Sequence, residues 1–415
     1  MNSDEGDLRV LFKNTQYLWL YVSNLAFFFA MQSQIVMRSW LAFKLTDSEF
    51  ALGLVAFSTA LPMFFLSPFG GMMSDRIDRR NLILYGQCAA FMADLVVVVL
   101  ILTDNIQFWH LLFSSGVNGC IFPLIMPART AIVVNIVGKQ RLEKAMALNM
   151  GGMNTARVIG PAMAGFLIDL IGIRYAYLFG ASLLGLGVVS MFPINRSNPV
   201  ALANQLPPLK SIWEGALFIK DNRLVMVLLL FGLIPMFLAA PFQNLLVVFA
   251  EKVWNVGPRG FGLLSSAMGM GGILGAIWIA FLKSSHRRLF RMMVCVILFC
   301  VLLFCFSFSP WFWGGLIMVF CANVFVNMFQ TFNNTNIQLL IPDSVRGRVS
   351  SFLMMSFSLP LLGTLPISAV AELYGAPIAL GMSAILAIII AVVFYWISSN
   401  LRNMDKLVLV ARGKE

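Results

Sequence analysis

The chain has 415 residues, 60% of them hydrophobic and 11% charged, with a mean hydropathy of +0.86 and a net charge of +11. Soluble domains carry roughly a quarter of their residues as charge, so an ordinary soluble fold is excluded and an integral membrane protein is expected. The basic residues follow the loops between apolar runs rather than one soluble surface, so no nucleic-acid partner is expected.

The apolar runs are continuous and bounded by charge, the pattern of helical spans rather than of the short alternating strands of a membrane barrel. At about 1.5 Å per residue, about 20 apolar residues cross a bilayer. Twelve runs follow in chain order, near 16–44, 50–74, 82–103, 108–137, 145–171, 175–194, 224–251, 260–282, 290–308, 311–341, 349–373 and 376–398. If both termini are cytoplasmic, 22 of the 29 Lys and Arg fall in the even-numbered connections and tails, 4 in outer loops and 3 within spans. This asymmetry predicts a multi-pass protein of the cell membrane, the inner membrane in a Gram-negative cell, with both termini inside. The first run is too long for a cleavable signal and continues into the multi-span pattern, so none is expected.

In helix 1, Asn24, Gln34 and Arg38 are polar positions inside an apolar run. Between helices 2 and 3, Gly71-Met72-Met73-Ser74-Asp75-Arg76-Ile77-Asp78-Arg79-Arg80 packs five charges into six residues. A topology signal explains the arginines but not Asp75 and Asp78 beside them. Helix 3 carries Asp94, helix 4 carries Asn118 and Arg129, and helix 5 carries Arg157. Asp94 and Arg157 lie equally deep from their cytoplasmic helix ends and form a candidate buried ion pair. A charge at a helix centre costs at least about 2.5 kcal/mol, so each needs a partner or water. Arg38 and Arg129 then leave the cavity net positive, which points to an anionic or zwitterionic substrate. Helix 5 also carries the small residues Ala156, Gly160 and Gly165 with Pro161, suited to close helix approach and a bend.

The polar segment 195–223 separates six spans from six, and its later part, 211–220, has the apolar face of a short interfacial helix. The expected domains are an N-terminal six-helix bundle (1–194), a cytoplasmic linker (195–223), a C-terminal six-helix bundle (224–398) and a cytoplasmic tail (399–415). Helix 7 adds Gln243. In helix 10, Asn323, Asn327, Gln330, Asn334 and Gln338 recur at spacings of 4, 3, 4 and 4, within roughly 80° of arc. Amides facing lipid would be unpaired, so this stripe faces protein or a solvated path.

The halves match each other at an offset of 205: Asn118 meets Asn323, Arg129 meets Asn334, Ile136 meets Ile341 and Arg141 meets Arg346. With small gaps, Asp169-Leu170-Ile171-Gly172 corresponds to Glu372-Leu373-Tyr374-Gly375. A duplicated six-helix unit follows, and with it a transporter whose site lies between two bundles near the midplane. The equivalent of the hinge, Lys283-Ser284-Ser285-His286-Arg287-Arg288, keeps the basic pair without the acid.

Over nearly its whole length the chain resembles the major facilitator superfamily. The hinge is similar to the superfamily signature between helices 2 and 3, with Asp78 where many members have Gly. Pro127-Ala128-Arg129-Thr130-Ala131, Ala156-Arg157-Val158-Ile159-Gly160-Pro161 and Pro342-Asp343-Ser344-Val345-Arg346-Gly347-Arg348 resemble the branch of secretion effectors that includes siderophore and macrolide exporters. The resemblance implies a gating role for Gly71, Asp75, Arg76, Asp78, Arg79 and Arg80. It also implies an antiporter-like motif at Ala156, Gly160, Pro161 and Gly165, and a cavity lined by helices 1, 4, 7 and 10. Export of a small organic molecule by alternating access is the expected function, with uptake or lipid transport as the alternative. A non-transporting sensor or assembly factor is disfavoured because no sizeable soluble domain is present.

The six cysteines lie inside apolar spans without metal or redox spacing, and His110 and His286 form no cluster, so no metal or cofactor is expected. No carboxylate pair or nucleophile with a base appears, so an enzyme is not expected. Partners are a small-molecule substrate, membrane lipids and, as candidate coupling ion, protons, acting on a monomer. No acid stands out as the proton carrier, since Asp94 sits on helix 3 and Asp169, Glu251 and Glu372 lie near outer ends.

Overall fold

The computed structural model describes residues 8–196, 208–282, 287–342, 349, 352–353 and 355–406. The early part of the linker, the hinge copy at 283–286, the segment 343–348 and the end of the tail lie outside the described residues. The fold is all-α, with no strand among the described residues. In chain order the helices are α1 (Leu8–Lys13), α2 (Thr15–Thr46), α3 (Glu49–Arg76) and α4 (Arg79–Leu102). The run Phe108–Val189 is broken by non-helical backbone at Gly138 and Gly172 into α5 (108–137), α6 (139–171) and α7 (173–189). Then come α8 (Pro208–Asp221), α9 (Arg223–Val253), α10 (Gly257–Phe281), α11 (Arg288–Ser307), α12 (Phe312–Leu340), α13 (Leu359–Tyr374), α14 (Ala376–Ile397) and α15 (Ser399–Arg402). Counting the broken run as three, the long apolar helices with the shorter α13 accommodate the twelve expected spans.

Local chemistry sets these boundaries. Asn14 caps α2 by accepting from Gln16 N at 3.1 Å and Tyr17 N at 3.3 Å. Asp78 caps α4 through Asn81 N at 2.8 Å, which supplies an acceptor to one of the orphan donors of the first turn. In the second half the acid comes from elsewhere: Asp405 accepts from Arg288 N and Leu289 N at the start of α11. In α9, Pro235 and Pro241 remove backbone donors, and the helix carries π turns at Pro235–Ala239 and Phe249–Val253.

The repeat seen in the sequence has matching local geometry. Gly172, between α6 and α7, has φ +83 and ψ 166, and Gly375, between α13 and α14, has φ +87 and ψ 149. An L side chain rarely adopts that region, so both corners need glycine. Asn118 donates to Ser114 O and Asn323 to Val319 O, each at 2.9 Å one turn back. At the start of α4 Arg79 reaches Asn135 in α5 at 3.2 Å, and at the start of α11 Arg288, the counterpart of Arg80, reaches Asn336 in α12 at 2.9 Å, contacts of the same kind at non-equivalent positions.

The chain forms two compact units, one of Met1–Asp47, Ser58–Gln205 and Gly257–Ser266, the other of Ser48–Phe57, Leu206–Val256 and Ala267–Glu415. In the first, α2, α4, α5 and α7 enclose a core that includes Tyr17, Leu20, Ile83, Ile132 and Met191. Gly119 lets α5 close on α3, because a Cβ there would sit 2.1 Å from Thr59 O. Gly119→Ala is therefore expected to cost at least about 1–3 kcal/mol, read as a lower Tm and less monodisperse protein. Gly151→Ala, with nothing within 4 Å of its Cβ, is the neutral control, and equal Tm values for the two variants would contradict this packing. In the second unit, Phe242, Phe249, Phe299 and Phe306 form an aromatic core with ring centroids 4.6 to 6.3 Å apart.

Candidate functional site

The polar residues of the first unit gather into two buried groups. The first surrounds Arg129, which is 3% exposed. Its guanidinium donates to Asn24 Oδ1, and Asn24 in turn donates to Asn149 Oδ1 at 3.2 Å. Gln87, in the amide orientation that satisfies its neighbours, accepts from Arg129 at 2.6 Å and from Ser23 Oγ at 3.1 Å, and donates to Gly187 O at 3.3 Å. The guanidinium also lies 4.1 Å from the Phe27 ring centroid, an arrangement that favours a cation. Among the described residues no carboxylate pairs with Arg129, so its charge is hydrogen-bonded but not neutralised.

The second group surrounds Asp94. The expected Asp94–Arg157 pair does not form: Asp94 pairs with Arg38 NH2 at 3.5 Å and accepts from Ser114 Oγ at 3.1 Å. Depth along a helix fixes height but not direction, and α4 turns Asp94 toward α2 and α5. Arg157 is half-buried and pairs with no carboxylate among the described residues. Gln34 is buried beside Gly180 of α7.

In the same unit, α2 and α6 line a groove with a cavity volume of about 600 Å³, walled by Tyr21, Leu25, Phe29, Lys144, Leu148, Gly152 and Thr155 among others. Asn24 and Asn149 are chain neighbours of the wall residues Leu25 and Leu148 but do not themselves line the groove.

The amides of the second unit divide. Asn323 is buried and Asn327 half-buried, and both pack on α10, where a Cβ on Gly271 would lie 3.0 Å from Asn323 Cβ and one on Gly272 3.1 Å from Asn327 Nδ2. Gln330 contacts Met236 Sδ at 2.9 Å, whereas Asn334 and Gln243 are exposed. Asn244, next to Gln243, donates to Thr364 Oγ1 at 2.9 Å.

At the hinge, Asp75 near the end of α3 faces Arg79 at the start of α4 at 3.9 Å, and Arg79 also donates to Ser74 O and Asn135. Arg80 donates to the carbonyls of Met191 and Phe192 just past the end of α7. Gly71 and Arg76 are exposed, and the close approach falls at Gly70, whose Cβ would lie 2.0 Å from Pro123 O. In α6, Ala156, Gly160, Pro161 and Gly165 are buried. Gly160 O accepts from Ser33 of α2 at 3.1 Å, and Gly165 packs on Gly262 of α10.

Within the second unit, the carboxylate of Glu372 accepts from Ser48 Oγ and Phe50 N, each at 3.0 Å, and Lys252 pairs with Glu49 at 3.0 Å. These contacts tie the end of α13 and the end of α9 to the first turn of α3.

Gln87, Asn149, Ser114 and Tyr177 were missed from sequence. Gln87 lies seven residues before Asp94, on the same face of an apolar helix, and that spacing is a readable signal.

A multi-pass, all-helical membrane protein with a repeated six-helix unit and polar networks inside its bundles has the architecture of a solute transporter. The chain matches the transmembrane secretion effector family of major facilitator transporters over residues 10–414 and belongs to it. It is 23% identical over 391 residues to the Staphyloferrin A transporter of Staphylococcus aureus, covering 91% of this chain and 96% of that one. It is 24% identical over 388 residues to the multidrug efflux pump Tap of Mycolicibacterium fortuitum, covering 89% and 92%. The enterobactin exporter EntS of Escherichia coli is 24% identical over 309 residues, covering 74% and 73%. A crystal structure of the nucleoside transporter NupG superposes with a TM-score of 0.76 at 14% identity, over 92% of this chain and 99% of that one, a likeness of fold.

Proposed function

We propose that this transporter exports an amphipathic organic anion by alternating access, with the first unit holding the anionic group near Arg129 and the apolar part in the groove of α2 and α6. The observation that carries this reading is a buried cation that pairs with no carboxylate among the described residues, in the same unit as an apolar groove. Two relatives, Tap and EntS, are efflux proteins by name, which supports the outward direction. Both termini are cytoplasmic on this reading, protons are the coupling ion, and the monomer is the working form. The domains run 1–194, 195–223, 224–398 and 399–415.

The roles assigned by resemblance stand as part of the proposal. Asn24, Gln34, Arg38, Asn118 and Arg129 form the polar side of the path in the first half, and Gln243, Asn323, Asn327, Gln330 and Asn334 in the second. Ala156, Gly160, Pro161 and Gly165 set the close approach of α6. The hinge from Gly71 to Arg80 is a cytoplasmic gate. Its Asp75–Arg79 pair is half-exposed and contributes at most about 1 kcal/mol to stability. Asp75→Asn is therefore expected to leave Tm unchanged while slowing transport, measured as initial flux per folded protein. Wild-type flux in this variant would remove the gating role.

A thermal-shift screen tests the substrate class, using a short-chain acyl carboxylate, sulfobetaine and trimethylammonium of equal length. A ligand at 100 times its Kd stabilises by about 2.7 kcal/mol, so the carboxylate is expected to raise Tm. Stabilisation by the cation alone would contradict the anionic reading.

A further inference from the structure

The group around Asp94 contains more unpaired polar atoms than an ion pair needs. The close interactions of the carboxylate fall on Oδ1, from Arg38 and Ser114, with the Asn118 amide also against the group, while Oδ2 is buried without a close hydrogen bond of its own. On the neighbouring helices, both amide atoms of Gln34 are also buried and unpartnered, and the buried hydroxyl of Tyr177 has the Arg38 guanidinium as its neighbour. Gln34 and Arg38 lie one turn apart on α2, and Tyr177 lies one turn before Gly180, the residue against which Gln34 packs. Each buried polar atom left unpaired costs about 1–3 kcal/mol. Three of them, Asp94 Oδ2 and both Gln34 amide atoms, suggest a site with a second state in which they are satisfied.

A single proton provides that state. On Oδ2 it converts an unsatisfied acceptor into an O–H donor, for which the Tyr177 oxygen on α7 is the facing acceptor. It also neutralises the group that holds Arg38, whose side chain is 12% exposed and so is not sealed in place. A metal cation would be repelled by the guanidinium 3.5 Å away, whereas a proton taken up by the carboxylate ends the ion pair. Among the described residues the titratable groups facing Asp94 are Arg38 from α2 and Tyr177 from α7, while α5 presents the neutral Ser114 and Asn118.

We infer that Asp94 is a proton-binding site and that Arg38 competes with the proton for its carboxylate. The carboxylate takes a proton from water in one state and returns it to water in the other, with Arg38 leaving and rejoining in step. Its purpose as the coupling site rests on the transport reading above. The proton itself can be observed without a substrate.

The test is pH-difference infrared spectroscopy of the full-length protein in lipid bilayers with no ligand added. Wild type is expected to show a carboxylic C=O band that grows on acidification and is missing in Asp94→Asn. Arg38→Gln removes the competing cation and is expected to move the midpoint of that band to higher pH by about one unit, a tenfold change in proton affinity. Superimposable spectra of wild type and Asp94→Asn would overturn the proposal and leave Asp94 as part of a fixed structural pair. If Asp94→Asn does not fold, the Arg38→Gln midpoint carries the test, and an unmoved midpoint overturns the proposal. A titrating Asp94 band in a protein that moves no solute would instead sink the coupling role and keep the proton site.

Discussion

Arg129→Met is expected to leave the folded fraction close to wild type while lowering flux of a carboxylated amphiphile by tenfold or more. Two opposing terms set the stability. Removing a charge from the centre of a helix in the membrane relieves at least about 2.5 kcal/mol. It also leaves the Asn24 oxygen unpaired, at about 1–3 kcal/mol, while the Gln87 oxygen keeps Ser23, so the terms nearly offset. The functional term has no such offset. A guanidinium about 5 Å from a carboxylate at an effective dielectric near 20 contributes about 3 kcal/mol, more than a hundredfold in affinity before desolvation is subtracted. Arg129→Lys keeps the charge but not the planar fork that meets Asn24 and Gln87, and an intermediate flux is expected. A variant that is unfolded, or folded with full flux, would make Arg129 a structural residue.

Removing the ties on the first turn of α3 is expected to have the next largest effect. Phe50 N is one of the donors that α3 cannot satisfy internally, and Glu372 accepts from it and from Ser48. Lys252–Glu49 adds an ion pair whose side chains are 41% and 10% exposed, so solvent screens it. Together they are expected to be worth about 2 kcal/mol, or roughly thirtyfold in the population of an opened first turn. Ala51 is 4% exposed, and Ala51→Cys in a background lacking the six native cysteines reports that population. With Glu372→Ala and Lys252→Ala added, labelling by a membrane-impermeant maleimide is expected to speed up by about that factor. On the proposed orientation the reagent reaches the site from outside. An unchanged labelling rate would show that packing alone, such as Gly53 against Ser368, holds this turn.

Much of the fold was legible because a bilayer imposes simple rules. Helix length, charge at the ends and glycine at the corners can all be read one-dimensionally, and the ends expected at 137 and 171 fall one residue before the breaks at Gly138 and Gly172. The match of Gly172 with Gly375 exposed the repeat for the same reason, since only glycine suits those dihedral angles. The site was less legible because pairing depends on rotation about each helix and on which helices are neighbours. Measured from the cytoplasmic end, Asp94 and Arg157 appear matched, yet Arg38 and Asp94 are equally far from the other ends, Thr46 and Leu102, and it is Arg38 that lies against α4. The stripe on α12 shows the same limit. Its five amides share one face, but that face passes from burial against α10 at Asn323 to exposure at Asn334.

Asp78 shows local chemistry at the place where the hinge departs from its family's pattern. A glycine there would lack a side-chain acceptor for Asn81 N, and the aspartate supplies one as the cap of α4. In the second half the corresponding role passes to Asp405, far away in sequence, which explains why the hinge copy contains no acid of its own.

The most direct measurement is flux in proteoliposomes under imposed pH gradients of both signs, comparing an acyl carboxylate with an acyl trimethylammonium of equal length. Uphill movement of the carboxylate is expected only when protons run the opposite way, with no movement of the cation and little flux through Arg129→Met. Transport of the cation alone, or of the carboxylate in the same direction as protons, would contradict it.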